Sequence, residues 1–318
     1  MKHDIERKMI CALLICLILV SVCTEVCAQG ATSTTHPSIS RQSDQMLVNS
    51  LTNADPLKRA AAVEEIGKRN LKGDMGALKP LLGDPLFFVR VATAGALLKF
   101  GDESGVPVLH SALTKATPTV ALRAAGILAS RGDPAGITHA QTQLGNASWD
   151  LRASALTALL SAPDRTVGSR ALTIAITDRS RYVRGGAVLG LARRGDQESI
   201  GLLKGLLRSD PDQTVRVLAA RGIADTGMSD AIPLLIECLS SSEEILRTTA
   251  MIRLDSFTGA NPTGMPLDGA LKATSQDASA GAVADAWTAW WTVNKAKFPM
   301  GQQIPGARRN TENMVTKM

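Results

Sequence analysis

Hydrophobic residues recur along this chain with a period of 31 or 32 residues. In each copy a small residue follows the opening hydrophobe by four positions. A branched aliphatic follows it by eight, as at Leu97 and Leu128, except in the first copy, where Glu65 stands at that offset. Offsets of 0, 4 and 8 lie on one stripe of an α-helix, so the pattern predicts one amphipathic helix, helix A, in every copy. The opening hydrophobes are Leu57, Val89, Val120, Leu151, Val183, Val215 and Leu246.

A second apolar run follows helix A in most copies, as at residues 232–236, and predicts a second helix, helix B. Asp-Pro pairs such as Asp84-Pro85 and Asp210-Pro211 come shortly before helix A and predict its N-cap and first turn. Two helices and two turns fill the period and leave no room for a strand. Such a period is typical of a solenoid, in which each helix pair buries its apolar face against its neighbours.

Two short motifs mark the helix pairs. A hydrophobe-Arg pair opens helix A, as in Val183-Arg184, and a Gly-Asp turn follows it, as in Gly195-Asp196. Over residues 57–258 this combination resembles HEAT repeats, of the short HEAT-like class also found in phycobilisome bilin lyases. We therefore expect an all-α, right-handed superhelical solenoid of about seven HEAT-like helix pairs, with N- and C-terminal capping helices.

The resemblance also implies a buried ladder of arginines and turn aspartates between adjacent repeats. The chain departs from this pattern at Lys58 and Ala121, which replace the arginine, and at Asn70 and Met228, which replace the aspartate. The residues expected to form the ladder are Arg90, Asp102, Asp133, Arg152, Asp164, Arg184, Asp196, Arg216 and Arg247.

The ends of the solenoid need caps, because an open end exposes its core. A short helix that begins after Ser43 is expected to cover the first repeat, within a solenoid that spans 44–258. A loop over 259–282 and a tryptophan-rich helix over 283–298 follow, and a disordered tail over 299–318 is expected after them. We interpret Trp287, Trp290 and Trp291, which share one helix face, as the C-terminal cap. A ligand-binding aromatic platform is the alternative.

The N-terminus is typical of an exported protein. Basic residues precede an apolar run over 9–23, and Ala28 suits signal cleavage, so residues 1–28 are predicted to be a signal peptide. An uncleaved membrane anchor is the alternative, and residues 29–43 are predicted to be a flexible spacer. Removing the signal would leave Cys238 as the one cysteine, which we expect to be buried and inert. The expected location is the bacterial envelope, either periplasmic or secreted.

Charge and motifs disfavour several classes of function. The net charge is +6, but no run of four basic residues occurs and no aromatics alternate with the bases as in a nucleic-acid groove. No catalytic signature or phosphate-binding loop is present, and His110 and His139 have no partner at metal-ligand spacing. We therefore predict neither cofactor nor metal.

These observations predict a non-catalytic scaffold that acts by binding, because nothing in the repeat requires chemistry. We expect a monomer that binds another protein through a concave surface formed by its B helices. One alternative, by fold analogy alone, is a bilin lyase-like enzyme that acts on a tetrapyrrole. Another is a binder of nucleic acid or of an anionic polymer. Membrane contact is expected only through an uncleaved N-terminal segment.

Overall fold

The computed structural model describes residues 42–304, which form sixteen α-helices joined by short turns. The predicted signal peptide, the spacer up to residue 41 and the tail beyond residue 304 lie outside the described residues. Within 42–304, no helix combines the length and the apolar character that a membrane crossing requires. The chain divides into two compact units, the first ending at Ala175 and the second beginning at Ile176.

The N-terminal unit consists of a capping helix followed by four helix pairs. Short 3₁₀ turns at Lys72–Asp74, Lys79–Gly83 and Glu103–Gly105 extend the B helices of the first two pairs. The helices are α1 (Asp44–Ser50), α2 (Pro56–Arg69), α3 (Met75–Leu78), α4 (Phe87–Lys99), α5 (Val106–Lys115), α6 (Pro118–Ala129), α7 (Pro134–Gln143), α8 (Trp149–Leu160) and α9 (Arg165–Ala175).

The C-terminal unit consists of three helix pairs and a final long helix. The helices are α10 (Arg181–Arg194), α11 (Gln197–Ser209), α12 (Gln213–Asp225), α13 (Ala231–Cys238), α14 (Glu244–Thr258), α15 (Leu267–Ser275) and α16 (Asp277–Asn294), which a 3₁₀ turn at Lys295–Lys297 follows. The predicted fold class, an all-α stack of HEAT-like helix pairs with a cap at each end, is confirmed. The superhelical sense of the whole chain stays a prediction.

Small residues allow the helices within a pair to pack closely. The offset-4 side chains of helix A are buried, and aliphatic side chains such as Leu97 and Leu128 fill the space beside them. The start of helix B approaches even more closely: a Cβ added at Gly105 would lie 2.6 Å from Ala94, and one at Gly136 would lie 2.5 Å from the Cβ of Leu128. These two glycines are therefore required by packing rather than by backbone conformation.

The turn after helix A corrects the register of the first copy. Gly101, Gly132, Gly195 and Gly227 follow the opening hydrophobe by twelve positions and have positive φ angles, a conformation that favours glycine. In the first copy the residue with positive φ is Asn70, at 58°. Counting back twelve positions from Asn70 places the opening position of the first copy at Lys58 and not at Leu57. The Leu57 side chain is 53% exposed. The buried Ile66 then takes offset 8, so the exception at Glu65 disappears.

The C-terminal region differs from the prediction in two respects. Helix α15 occupies part of the predicted 259–282 loop, and α16 begins at Asp277 instead of residue 283. Residues 299–304, predicted to be disordered, lie against the turn that precedes α13. The backbone N–H of Ser229 donates to Gln302, and the N–H of Ile304 donates to Gly227, both at 2.9 Å. Residues 299–304 therefore form a strap that ties the end of α16 to the sixth repeat.

Candidate functional site

An arginine ladder runs along the turns between helix B and the next helix A. In the C-terminal unit the Arg184 guanidinium donates two hydrogen bonds to the carboxylate of Asp210, from Nε at 2.7 Å and from Nη2 at 2.8 Å. Its Nη1 donates to the carbonyl oxygen of Asp178 at 2.8 Å. The Asp210 side chain is 1% exposed, so both charges are held away from water. Each arginine thus joins its own preceding turn to the turn of the next repeat.

The same geometry recurs at other repeats. Arg59 donates to the carboxylate of Asp84 at 2.7 and 3.1 Å and to the carbonyl of Asn53 at 2.8 Å. Arg216 binds the Asp210 carbonyl and the Glu243 carboxylate. The last arginine binds the cap: Arg247 donates to the carbonyl of Thr274 and to the carboxylate of Asp277. Arg152 also donates to the carbonyl six residues before it, that of Asn146, at 2.9 Å.

The predicted acidic partners of these arginines are wrong. The aspartates of the turns after helix A instead accept hydrogen bonds from backbone N–H groups at the start of helix B, and these bonds cap that helix. The acceptor–donor pairs are Asp102 with Ser104, Asp133 with Ala135, Asp164 with Thr166 and Asp196 with Ser199. The acids that do pair with the arginines lie in or beside the turns between helix B and the next helix A. Asp-Pro pairs mark two of them, Asp84-Pro85 and Asp210-Pro211, although the sequence pattern indicated only helix caps there.

These hydrogen bonds shift the ionisation of several groups. Bonds from Ser104 and Lys79 hold the pKa of Asp102 well below its usual range, and bonds from Thr166 lower the pKa of Asp164. Burial favours the neutral form of Asp196, yet bonds from Ser199 and attraction by Arg194 leave its pKa lowered. The bonds to Asp210 raise the pKa of Arg184. Asp102, Asp164 and Asp196 are therefore ionised at neutral pH, and Arg184 is protonated.

The ladder is interrupted inside the N-terminal unit. The guanidinium of Arg90 lies 3.6 Å from the centroid of the Phe87 ring, and its Nε has no hydrogen-bond partner among the described residues. The turn that should supply its acid, residues 115–117, contains no carboxylate. Ala121 replaces the arginine of the next helix, as the sequence analysis noted. This turn therefore lacks both the acid that would pair with Arg90 and the arginine of the next helix. A cation–π contact with Phe87 takes the place of the ion pair of Arg90.

An open groove of about 740 Å³ lies in the N-terminal unit. Side chains from α2, α4, α6 and α8 line it, so four consecutive A helices form its floor. The B helices, which were expected to form the binding surface, do not line this groove, and the binding face itself stays a prediction. We call this surface the helix A groove. Its residues lie between Glu64 and Ser161.

Small side chains open the groove. Its centre contains Gly95 and Gly126, each six positions after the opening hydrophobe of its repeat, and Thr157 takes that position in the fourth repeat. In the C-terminal unit the same offset carries Leu189, Arg221 and Ile252. The small offset-6 residues of the second to fourth repeats are thus replaced by bulkier ones in the C-terminal unit. Listing offset 6 along the repeats could have revealed this from the sequence.

Charged side chains stand at the edges of the groove. Arg123 forms an ion pair with Glu64 across two repeats, and Arg131 pairs with Glu103. Lys68 and Lys99 lie at the C-terminal ends of α2 and α4. The lining residues therefore include four bases and one acid.

The C-terminal tryptophans occupy different environments. Trp287 is fully buried, and its ring packs edge-on against Trp290 with centroids 5.4 Å apart. Trp290 and Trp291 are half-buried, and both lie within about 6 Å of the Phe298 ring. Trp287 thus packs as a core residue of the capping helix, with α16 against α13 and α15.

The remaining candidate groups are one cysteine and two histidines, and none of them lies in a cluster of reactive side chains among the described residues. Cys238 is buried, its thiol lies 3.1 Å from the Leu234 carbonyl, and burial raises its pKa to about 12. His110 Nε2 lies 3.1 Å from the Asp133 carboxylate, and burial lowers the pKa of His139. Among residues 42–304, no group of three or more potential metal ligands comes together.

Comparison with known families identifies the repeat. The family of HEAT repeats matches residues 168–255. Residues 168–255 are HEAT repeats. The HEAT match spans the end of the N-terminal unit and most of the helix pairs of the C-terminal unit, and the helix pairs before it have the same turns and arginine contacts.

The solved structures that are similar to this chain are distant in sequence. The Escherichia coli protein YibA is 15% identical, with a TM-score of 0.46, over 79% of this chain and 94% of YibA. The CpcE–CpcF complex of phycocyanin lyase from Nostoc sp. PCC7120 is 19% identical, with a TM-score of 0.42, over 78% of this chain and 95% of the matched chain. No curated protein matches the sequence. The assignment therefore depends on the family match and on the repeat geometry.

Proposed function

We propose that this HEAT-repeat protein is an exported, non-catalytic scaffold that binds another protein through the helix A groove. The observation that carries the proposal is the groove itself, about 740 Å³ of open space across four consecutive A helices. Repeat proteins bind partners through extended surfaces of this kind, because each added repeat lengthens the surface without new chemistry.

The chemistry of the groove supports binding over catalysis. Its lining contains neither histidine nor cysteine. The hydroxyls of Ser130, Thr157 and Ser161 donate to helix carbonyls, and Arg123 is paired with Glu64. A hydroxyl becomes a nucleophile when an adjacent base accepts its proton, and these hydroxyls have carbonyl partners instead.

Export is proposed from the N-terminal sequence. A basic start, an apolar run of moderate length and small residues before Gln29 are typical of a cleaved signal. N-terminal sequencing of the protein from its native host should therefore begin at Gln29. A chain that retains Met1 and sediments with membranes would instead support the anchor alternative.

Affinity capture tests the binding proposal. The chain from Gln29 is expressed in its native host, and captured proteins are identified by mass spectrometry. In parallel, Gly126→Leu fills the groove; a Cβ there meets only Ala158, at ordinary contact distance of 3.5 Å, so the fold should persist. The expected result is a reproducible protein partner that Gly126→Leu no longer captures.

A matched substitution controls for non-specific effects. Gly281→Leu makes the same change in helix α16, outside the groove, where nothing lies within 4 Å of the added Cβ. This variant should retain the partner. Capture that survives Gly126→Leu in a folded protein would contradict the proposal.

A further inference from the structure

One edge of the helix A groove is basic. Lys68, Lys99 and Arg131 lie at or just after the C-terminal ends of three successive A helices, about one repeat apart. The Lys68 side chain is 69% exposed, and that of Arg131 is 42% exposed. Lys99 is exposed as well, and no carboxylate within the described residues pairs with it. The edge therefore offers a row of accessible positive charges.

The nearby acids only partly offset this charge. Glu64 is bound by Arg123 and its side chain is 13% exposed, and Glu65 is buried beside Arg69. Glu65 also approaches Lys68, at 3.9 Å. Glu103 is exposed and pairs with Arg131, so a ligand would have to compete with it there. The charge that remains open to a ligand is concentrated at Lys68 and Lys99.

The floor of the groove suits an extended chain. Gly126 leaves room for a backbone to approach, since a Cβ added there would meet only Ala158, at 3.5 Å. Hydroxyls such as those of Thr157 and Ser161 donate to helix carbonyls and so present oxygen lone pairs as acceptors. An extended segment has free backbone N–H groups for these acceptors, whereas a helix has used most of its own.

We infer that the helix A groove recognises an extended segment of the partner that carries acidic residues at every third position. Packed helices lie about 8–10 Å apart. In polyproline II, an extended form of the chain without internal hydrogen bonds, each residue advances about 3.1 Å and three residues make one turn, so side chains three residues apart lie on one face and about 9 Å apart. Acidic side chains three residues apart would therefore meet the basic side chains of successive repeats. This inference depends on the proposed function, since it names the chemistry of the partner.

Peptide binding tests the inference directly. A labelled nine-residue peptide with glutamate at every third position is titrated with the chain from Gln29 and followed by fluorescence anisotropy. A peptide of the same composition with its three glutamates adjacent is the comparison. The spaced peptide should bind more tightly at low salt, and added salt should weaken its binding because exposed charges are screened.

Variants locate the binding. Lys99→Glu should weaken binding of the spaced peptide by about tenfold, because attraction becomes repulsion at the centre of the basic edge. Gly126→Leu should also weaken it. Lys58→Glu makes the same charge change on α2 outside the groove and should leave binding within about twofold. Matching circular dichroism spectra and melting temperatures would show that all variants are folded.

The outcomes separate this inference from the proposed function. Absence of peptide binding, equal binding of both peptides, or binding unaffected by Lys99→Glu would overturn acid recognition. If Gly126→Leu abolishes capture of the protein partner while Lys99→Glu does not, the groove is the binding site but does not recognise acidic residues. If capture survives Gly126→Leu, the proposed function itself is wrong.

Discussion

The buried pair of Arg184 and Asp210 is the clearest single-residue determinant of the stacked repeats. Removing the guanidinium would leave a carboxylate that is 1% exposed without its counter-charge. We therefore predict that Arg184→Ala lowers the free energy of unfolding by about 3–5 kcal/mol, as measured by urea unfolding. It should also reduce the cooperativity of unfolding, because the contact joins adjacent repeats.

Arg193 provides the control for this prediction. It lies on the same helix, α10, but its side chain is exposed. Arg193→Ala should change the free energy of unfolding by no more than about 0.5 kcal/mol. One unchanged melting transition for Arg184→Ala would contradict the structural role of the ladder.

The turn aspartate Asp102 should make stability depend on acid pH. Its pKa is lowered in the folded protein by hydrogen bonds from Ser104 and Lys79, so folding favours the ionised form. This contribution is complete above the unfolded pKa of about 4, and it is lost as the pH falls towards the folded pKa.

The variant Asp102→Asn removes the ionisable group while keeping a residue that can cap a helix. It should be less stable than the wild type at pH 7, and the difference should shrink as the pH falls below about 4. Urea unfolding at pH 7, 4 and 2.5 measures this. A difference that grows in acid would refute the assignment.

The sequence predicted most arginines of the ladder but not their partners. Hydrophobe-Arg is a local motif and can be read directly, whereas the partner is defined by which turn lies next to it in the stack. The first copy was also misaligned by one residue, so Arg59 was missed and Lys58 was considered a replacement. Asn70 was the available signal, since asparagine is the usual alternative to glycine at positive φ.

At the scale of elements, the close approach of helix A and helix B can be tested with glycines. A Cβ at Gly136 would lie 2.5 Å from the Cβ of Leu128 and 2.7 Å from the carbonyl oxygen of Ala125. We predict that Gly136→Ala lowers the free energy of unfolding by about 1–3 kcal/mol, because the helices must move apart.

The control is another glycine in a B helix. Gly201, in α11, has no atom within 4 Å of an added Cβ. Gly201→Ala should therefore raise the free energy of unfolding by about 0.5–1 kcal/mol, since alanine favours the helix. Urea unfolding of both variants gives the comparison. Equal effects of the two substitutions would show that close packing at Gly136 is not required.

The strap formed by residues 299–304 should stabilise the C-terminal unit. Besides its two backbone hydrogen bonds, Ser229 Oγ donates to the carbonyl of Pro299 and Gly301 N–H donates to the carboxylate of Asp230. At about 1 kcal/mol per bond, a chain that ends after Phe298 should lose a few kcal/mol of unfolding free energy. A chain that ends after Ile304 keeps these bonds and should match the full chain in the same urea experiment.

The elements themselves were largely predictable, because the helical period is strong and repeated. Helix α15 was missed since its Gly-, Ala- and Ser-rich surroundings were interpreted as a loop, although alanine favours helices and Ala270 and Thr274 give it a buried side. The strap was missed for a different reason. Its polar sequence carries no pattern of its own, and its order comes from pairing with residues about 70 positions earlier.

At the scale of the whole molecule, the proposed binding function depends on where the repeats form an open surface. The periodic residues that build the core are nearly constant, whereas offset 6 changes from glycine in the second and third repeats to leucine, arginine and isoleucine in the last three. The sequence could have located this change. It could not show that the A helices line the groove, because both helices of a pair have an outward side.

The measurement that tests the central claim most directly is photo-crosslinking from two positions in the N-terminal unit. Thr157 lies in the groove, whereas Thr138 lies on the B helix α7, and both side chains are exposed. A photoreactive amino acid is placed at each position in turn, and the protein is irradiated in its native host. We predict a crosslinked protein partner from position 157 and none from position 138. A partner crosslinked from position 138 alone would contradict the account.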